Sequence, residues 1–220
     1  MAIIGIDQSL TGTGVAHVEN DGTLFETKLL KVGKLRGIER LDFITSEICN
    51  FIDLVGERIV VAREGYSFGS IGRATFSLGE LGGCIDLRLY SQKPGDIVAY
   101  YTIPPTVIKK YCLGKGNIKK DSAYLLTVYN KIDVEFADDN QADAYMIALT
   151  LLGFLMGRND KMTDFFKGLS IEKKEALVSS KINKKGSGVT KSTLKNMNHE
   201  EFAKYVGETL DEFRVFGDEV

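Results

Sequence analysis

The spacing of apolar positions along this 220-residue chain changes several times, and each change marks an element. Ala2 to Ile6 is a short apolar run ending on Asp7, Gly14 to Val18 is a second, and Thr23 to Lys31 continues with alternating character. Short runs separated by turn residues predict three strands in an antiparallel meander. Between 36 and 54 the period lengthens: Ile38, Leu41, Ile44, Ile48, Phe51 and Ile52 recur at the three-to-four spacing of an amphipathic helix. Arg58 to Ala62 is a β-branched run ending near Glu64 and predicts a central strand; Ile97 to Ile103 predicts another. Residues 71 to 90 read as a helix whose small residues Ala74, Gly79, Gly82 and Gly83 would allow close packing. Pro104-Pro105 opens a short helix, where proline is tolerated. Further helices are expected over Lys119 to Tyr129 and Asp139 to Leu155. The order predicts an α/β fold, a mixed five-stranded sheet with helices on both faces.

After about residue 157 the character shifts. The stretch VSSKINKKGSGVTKSTLKNM, residues 178 to 197, is polar and lysine-rich and reads as a linker or mobile loop. Asn198 then has the form of a helix N-cap with Glu201 three residues on, followed by the stripe Phe202, Val206, Leu210 and Phe213. The expected organisation is a core domain over 1–157 and a helical C-terminal extension over 158–220 that carries a basic polar loop.

Composition narrows this picture. An apolar share of 44% and charged content of 26% suit a globular chain, and a net charge of −2 leaves room for a local basic patch. The cysteines, Cys49, Cys84 and Cys112, form neither a CxxC pair nor a zinc spacing and read as free buried thiols in a reducing compartment. The start MAIIGID has no basic segment and meets an acid at position 7, unlike a signal peptide. No apolar run reaches membrane-spanning length, so a cytoplasmic protein with no membrane partner is expected.

The acids carry the candidate chemistry. Asp7 ends the first strand and Glu64 ends a second, where a rigid sheet would hold each carboxylate. A third group lies in ADDNQADAY, residues 137 to 145. Helical residues four apart are turned by only about 40° and residues three apart by about 60°. Asp139 and Asp143 therefore share a face with Asn140 beside them, and Asp138 points away as a helix-end charge. Two acids one turn apart repel, and Asp143 is followed by an apolar run, so a cation is expected between them. Carboxylates from two strand ends and one helix face suit hard divalent cations such as magnesium. The two histidines, His17 and His199, offer no zinc spacing. Acid-only sites holding two magnesium ions are a standard device for displacement at phosphorus.

These stretches together resemble a known family. IIGIDQSLTGTGVA, VAREGYSFG, PPTVIKKYCLGKGNIKKD and ADDNQADAYMIAL are similar, in order and spacing, to the motifs of RuvC-type Holliday junction resolvases. The resemblance covers roughly residues 1 to 157 and implies the RNase H-like (retroviral integrase) fold. Gln8-Ser9 stands where bacterial members usually have Pro-Gly, which looks more like the phage-encoded branch, with the host cytoplasm as its setting.

The resemblance implies a metal-dependent endonuclease that cuts four-way DNA junctions as a homodimer and uses no nucleotide cofactor. Two Mg²⁺ ions are implied, with Mn²⁺ a substitute. Asp7, Glu64 and Asp143 match the family acids. Asn140 stands where the family has a further aspartate, so either Asn140 ligates as a neutral group or Asp139 supplies the carboxylate; Asp139 is preferred. GKGNIKK resembles the family's glycine-lysine segment, which implies DNA contact by Lys109, Lys115, Lys119 and Lys120, with Lys120 near the scissile phosphate. Tyr66 and Phe68 lie where the family has a base-stacking aromatic, and Phe68 is preferred. Helix 71 to 90 is a plausible dimer element. Two rivals are a junction-binding protein with a degraded metal site and a fragment of an actin-like ATPase or kinase, which shares the first motif.

Overall fold

The computed structural model describes residues 1–56, 58–66, 73–92, 94–182 and 189–217. The strands β1 (Ala2–Asp7), β2 (Gly12–Val18) and β3 (Leu24–Lys31) form the antiparallel meander. Helix α1 (Gly37–Val55) leads to β4 (Ile59–Glu64), which runs parallel to β1; α2 (Arg73–Gln92) leads to β5 (Ile97–Ile103), parallel to β4. Then come α3 (Pro105–Leu113), α4 (Tyr124–Ile132) and α5 (Asp139–Gly157). The C-terminal part adds α6 (Thr163–Gly168), α7 (Ile171–Leu177), α8 (Lys191–Asn196), α9 (His199–Glu212) and a last strand, β6 (Arg214–Gly217). The sheet order is β3-β2-β1-β4-β5-β6.

Alternation along the strands divides the core in two. Ile4 and Ile6 of β1 and Val61 of β4 face α1 and α2, in a layer with Ile44, Ile48, Ile52, Leu81 and Ile85. Ile3 of β1 and Val60 and Ala62 of β4 face α5. Asp7 and Glu64 continue this second set, so their carboxylates leave the strand ends on the α5 side. Helix α5 is apolar all round because it is covered on both sides: the sheet lies beneath it, and α3, α7 and α9 pack over it. Two glycines let it come close. A Cβ on Gly5 would stand 2.0 Å from the Ala144 carbonyl oxygen, and one on Gly14 2.0 Å from that of Asn140. Backbone contact there sets the start of α5 directly over the end of β1.

The structure departs from the sequence pattern in three places. The residues Lys119 to Ala123 are not helical; Asp121 accepts from the Ala123 backbone N–H at 3.0 Å, making a local turn that delays α4 until Tyr124. The polar stretch 178–197 is not simply a linker. Thr190 and Thr193 cap α8 reciprocally, and Val189, Leu194 and Met197 are buried in the α5-side core. Finally, the chain end supplies a sixth strand beside the five expected: β6 pairs antiparallel with β5 and covers the sheet edge. Among the described residues, no helix is long and apolar enough to cross a membrane.

Candidate active site

The ends of β1 and β4 are neighbours because the strands are parallel and Ile6 pairs with Arg63. Asp7 and Glu64, one step further on, therefore emerge side by side at the carboxyl edge of the sheet, the usual ligand edge of an open α/β sheet. Helix α5 starts over the same edge. Asp138 caps it, its carboxylate accepting from the Asn140 backbone N–H, and Asp139 and Asp143 follow on the face that looks down on β1. Asp7 and Asp143 are each only 4% exposed.

One ammonium holds the group together. The Lys120 Nζ lies 4.0 Å from Asp7 Oδ2 and 3.3 Å from Asp139 Oδ2, and it contacts Asp143 Oδ2 directly. The other Asp143 oxygen accepts from the hydroxyl of Tyr124, a residue buried at the start of α4. Lys109 stands beside this: its Nζ donates to the Ile118 carbonyl at 3.1 Å, and both Lys109 and Lys120 lie 5.9 Å from the Tyr124 ring centre.

The electrostatics follow from burial and crowding. Burial pushes the Asp7 pKa well above the usual carboxylate range; Lys120 works against this, and Asp143, Glu64 and Asp139 add to it. Burial and then Asp143 raise Glu64, against the pull of Lys120 and Lys109. Burial disfavours the charged ammonium of Lys120, yet Asp7, Asp143 and Asp139 hold its pKa above the ordinary lysine value. Tyr124 is also raised, first by burial and then by Asp143, so it remains a donor.

Among the described residues, no three His, Cys, Asp or Glu side chains enclose a ready-made metal cage. The chemistry of the donor set nevertheless fits a hard divalent cation. Its donors are carboxylate oxygens, and three of the four carboxylates already converge on one cation, the Lys120 ammonium. The Asn140 side-chain N–H donates to Asp138 Oδ1 at 2.9 Å.

Neither a protein-family model nor a curated protein sequence matches this chain. Solved structures do. Thermus thermophilus RuvC is similar at a TM-score of 0.54 and 20% identity, over 76% of this chain and 95% of that one. T. thermophilus RuvC in complex with a Holliday junction substrate is similar at 0.51 and 20% identity, over 68% and 91%. The yeast mitochondrial Holliday junction resolvase Ydc2 aligns at 0.40 and 16% identity, over 66% and 75%. The fold is the RNase H-like fold of RuvC.

On this RuvC fold the residues singled out in the sequence are placed as follows. Asp7, Glu64, Asp139, Asp143 and Lys120 come together. Lys115 and Lys119 are exposed on the loop between α3 and α4, beside the cluster in sequence but outside it. Tyr66 is 38% exposed, with its hydroxyl donating to the Gly79 carbonyl at 3.3 Å and its ring 5.1 Å from the Arg63 guanidinium carbon. Phe68, the preferred stacking residue, lies outside the described residues. Two participants have no signal in the sequence pattern. Tyr124 braces Asp143 but belongs to no motif, and Arg63 reads as an ordinary strand-end charge although it is 2% exposed.

Proposed function

We propose that this protein is a divalent-metal-dependent endonuclease that hydrolyses phosphodiester bonds in four-way DNA junctions. The observation that carries the reading is the convergence of Asp7, Asp139 and Asp143 on Lys120, with Glu64 alongside, at the strand ends of a fold shared with a protein solved on a Holliday junction. Asp7, Glu64, Asp139 and Asp143 would hold the cations. Magnesium there, with manganese as a substitute, would supply an activated water and a neutralised leaving oxygen.

The chain's own residues complete the site. Tyr124 fixes one oxygen of Asp143 and leaves the other facing the cluster. Lys120, on a non-helical loop, is free to exchange its carboxylate partners for a phosphate oxygen and stabilise charge that develops there. Lys115 and Lys119 offer exposed positive charge on the same loop for the DNA backbone. Lys109 reinforces this side through Ile118, and Tyr66 would supply an aromatic edge for unpaired bases, with Phe68 of the same motif a candidate from sequence alone.

A four-way junction requires two related cuts, and a homodimer would deliver them. The outer face of α2 supports this assembly. Phe76, Leu87 and Tyr90 are 78%, 67% and 61% exposed, and with Gly83 they fall within about 60° on a helical wheel. A row of exposed large apolar residues flanked by glycines suits the self-complementary interface of a two-fold dimer.

The direct test is cleavage of a synthetic four-way junction with Mg²⁺, comparing the protein as it stands with Asp7→Asn and Asp143→Asn. We expect paired nicks from the unaltered protein and a fall of at least about 10³-fold in each variant, with junction binding retained. Junction binding with no cleavage under any divalent metal would sink the nuclease reading.

A further inference from the structure

Arg63 and Glu64 are adjacent on β4, so their side chains leave on opposite faces. Glu64 goes towards α5 and the acids. Arg63 goes under α2, where its Nε and Nη2 each donate at 2.9 Å to the two oxygens of Asp86. The Tyr100 hydroxyl of β5 donates to the same carboxylate at 2.7 Å. The remaining arm of the guanidinium turns back: Nη1 donates at 3.0 Å to the backbone carbonyl of Glu64 itself. Arg63 also lies against the ring of Tyr66, and the Tyr66 hydroxyl reaches α2 at Gly79. Helix α2 is shaped for this, since a Cβ on Gly82 would stand 2.0 Å from the Tyr66 hydroxyl.

A buried ion pair is an uneconomical way to fill space, because well-packed apolar side chains of similar volume are often as stable or more so. What a planar guanidinium adds is direction. This one points at three things: an acid on α2, an aromatic at the mouth of the site, and the peptide that carries Glu64.

We infer that Arg63 is a positioning residue: anchored on Asp86 of α2, it fixes the end of β4 so that Glu64 and Tyr66 are presented to the metal and DNA. This rests on the nuclease reading, and it gives the inner flank of α2 a task separate from the proposed dimer face. Glu64 needs such a brace because its neighbours repel it. At the end of a strand, surrounded by Asp7 and Asp143, its carboxylate would otherwise turn outwards to solvent.

The test removes the polar network without stranding a charge. In Arg63→Met/Asp86→Leu/Tyr100→Phe, the Tm should stay near that of the unaltered protein, and junction affinity should fall a few-fold as Tyr66 loses its support. Single-turnover cleavage should fall about 10–100-fold, and the Mg²⁺ concentration for half-maximal rate should rise, as when a supporting partner of a metal ligand is lost. The Mg²⁺-induced rise in Tm without DNA should need correspondingly more metal. Arg63→Lys keeps the charge but not the fork, and should move the same two metal readouts in the same direction by less. It also serves as the reporter if the triple variant does not fold. A folded triple variant with unchanged Mg²⁺ requirement and cleavage rate would overturn the inference, leaving Arg63 a purely structural residue. Absence of cleavage by the unaltered protein would instead count against the nuclease reading, and the Mg²⁺-dependent Tm would still decide the role of Arg63.

Discussion

Glu64 and Arg63 are chain neighbours whose side chains enter two ionic clusters on opposite faces of the sheet. Under α2, Arg63 meets Asp86 through two parallel hydrogen bonds and Tyr100 adds a third donor, so a single positive and a single negative group answer each other. Under α5, Asp7, Asp139 and Asp143 gather on the ammonium of Lys120 with Glu64 alongside, and the hydroxyl of Tyr124 donates to Asp143. One cluster is balanced and the other has an excess of acid. Burial penalises both, but only the balanced one is complete within the chain. The excess acid is tolerated at the open edge of the sheet, where cations can arrive from outside. A buried charge cluster therefore signals function when its signs do not match.

The largest contrast should appear in stability, measured by melting or urea unfolding in the presence of a chelator. Arg63→Met leaves the Asp86 carboxylate with Tyr100 but without its guanidinium partner, and should cost about 2 kcal/mol. Asp7→Asn should act with the opposite sign. The Asp7 pKa is raised by burial and by the neighbouring acids, more than Lys120 lowers it, so the folded state disfavours the ionised form. Removing that charge should raise the Tm of the metal-free protein. If both substitutions destabilised alike, the acid cluster would be as self-sufficient as the Arg63 pair and the distinction would fail.

A smaller effect is expected from Lys120→Met. The ammonium stands among the carboxylates that would hold metal, and a unit charge at about 4 Å is worth about 1–4 kcal/mol between bulk water and a protein surface. Its removal should tighten Mg²⁺ binding without DNA by about tenfold, read as a lower metal concentration for the same rise in Tm. Cleavage should fall, because the same ammonium is the one offered to phosphate. Weaker Mg²⁺ binding in this variant would show that Lys120 holds the acids in place for the metal and does not compete with it.

Much of the acid cluster was legible in the sequence because its signals are local. An acid ending a short apolar run marks Asp7 and Glu64, and helical spacing puts Asp139 and Asp143 on one face. Helical spacing alone leaves Asp139 and Asn140 as alternatives; in the structure Asp139 contacts Lys120, and the Asn140 side-chain N–H donates to Asp138. The other cluster was not legible, since an arginine at a strand end looks the same whether it meets solvent or lies beneath a helix. Only α2, closing over β4 and β5, makes Arg63 a buried residue. Tyr124 was hidden for the same reason. In the tail, Val189, Leu194 and Met197 sit singly among polar residues, so no period reveals them; they are buried because α7 packs on α8 and joins it to the α5-side core. The strand β6 is four residues long and needs the edge of β5 before it is a strand at all.

The smallest effect separates loop charge from cluster charge. Lys119, like its neighbour Lys120, is solvent-exposed, but it lies outside the acid group. An exposed lysine near DNA contributes mainly through counterion release. Lys119→Ala should therefore weaken junction binding a few-fold and lower the slope of log affinity against log salt by about 1. It should leave both the Tm and the Mg²⁺ affinity of the free protein unchanged, because it takes part in neither ionic cluster. Two adjacent lysines would then differ in kind: one acts on DNA at a distance set by salt, and the other acts on metal by contact. Equal shifts in Mg²⁺ affinity from Lys119→Ala and Lys120→Met would mean that the whole basic loop screens the acids, and the contact between Lys120 and Asp143 would lose its special standing.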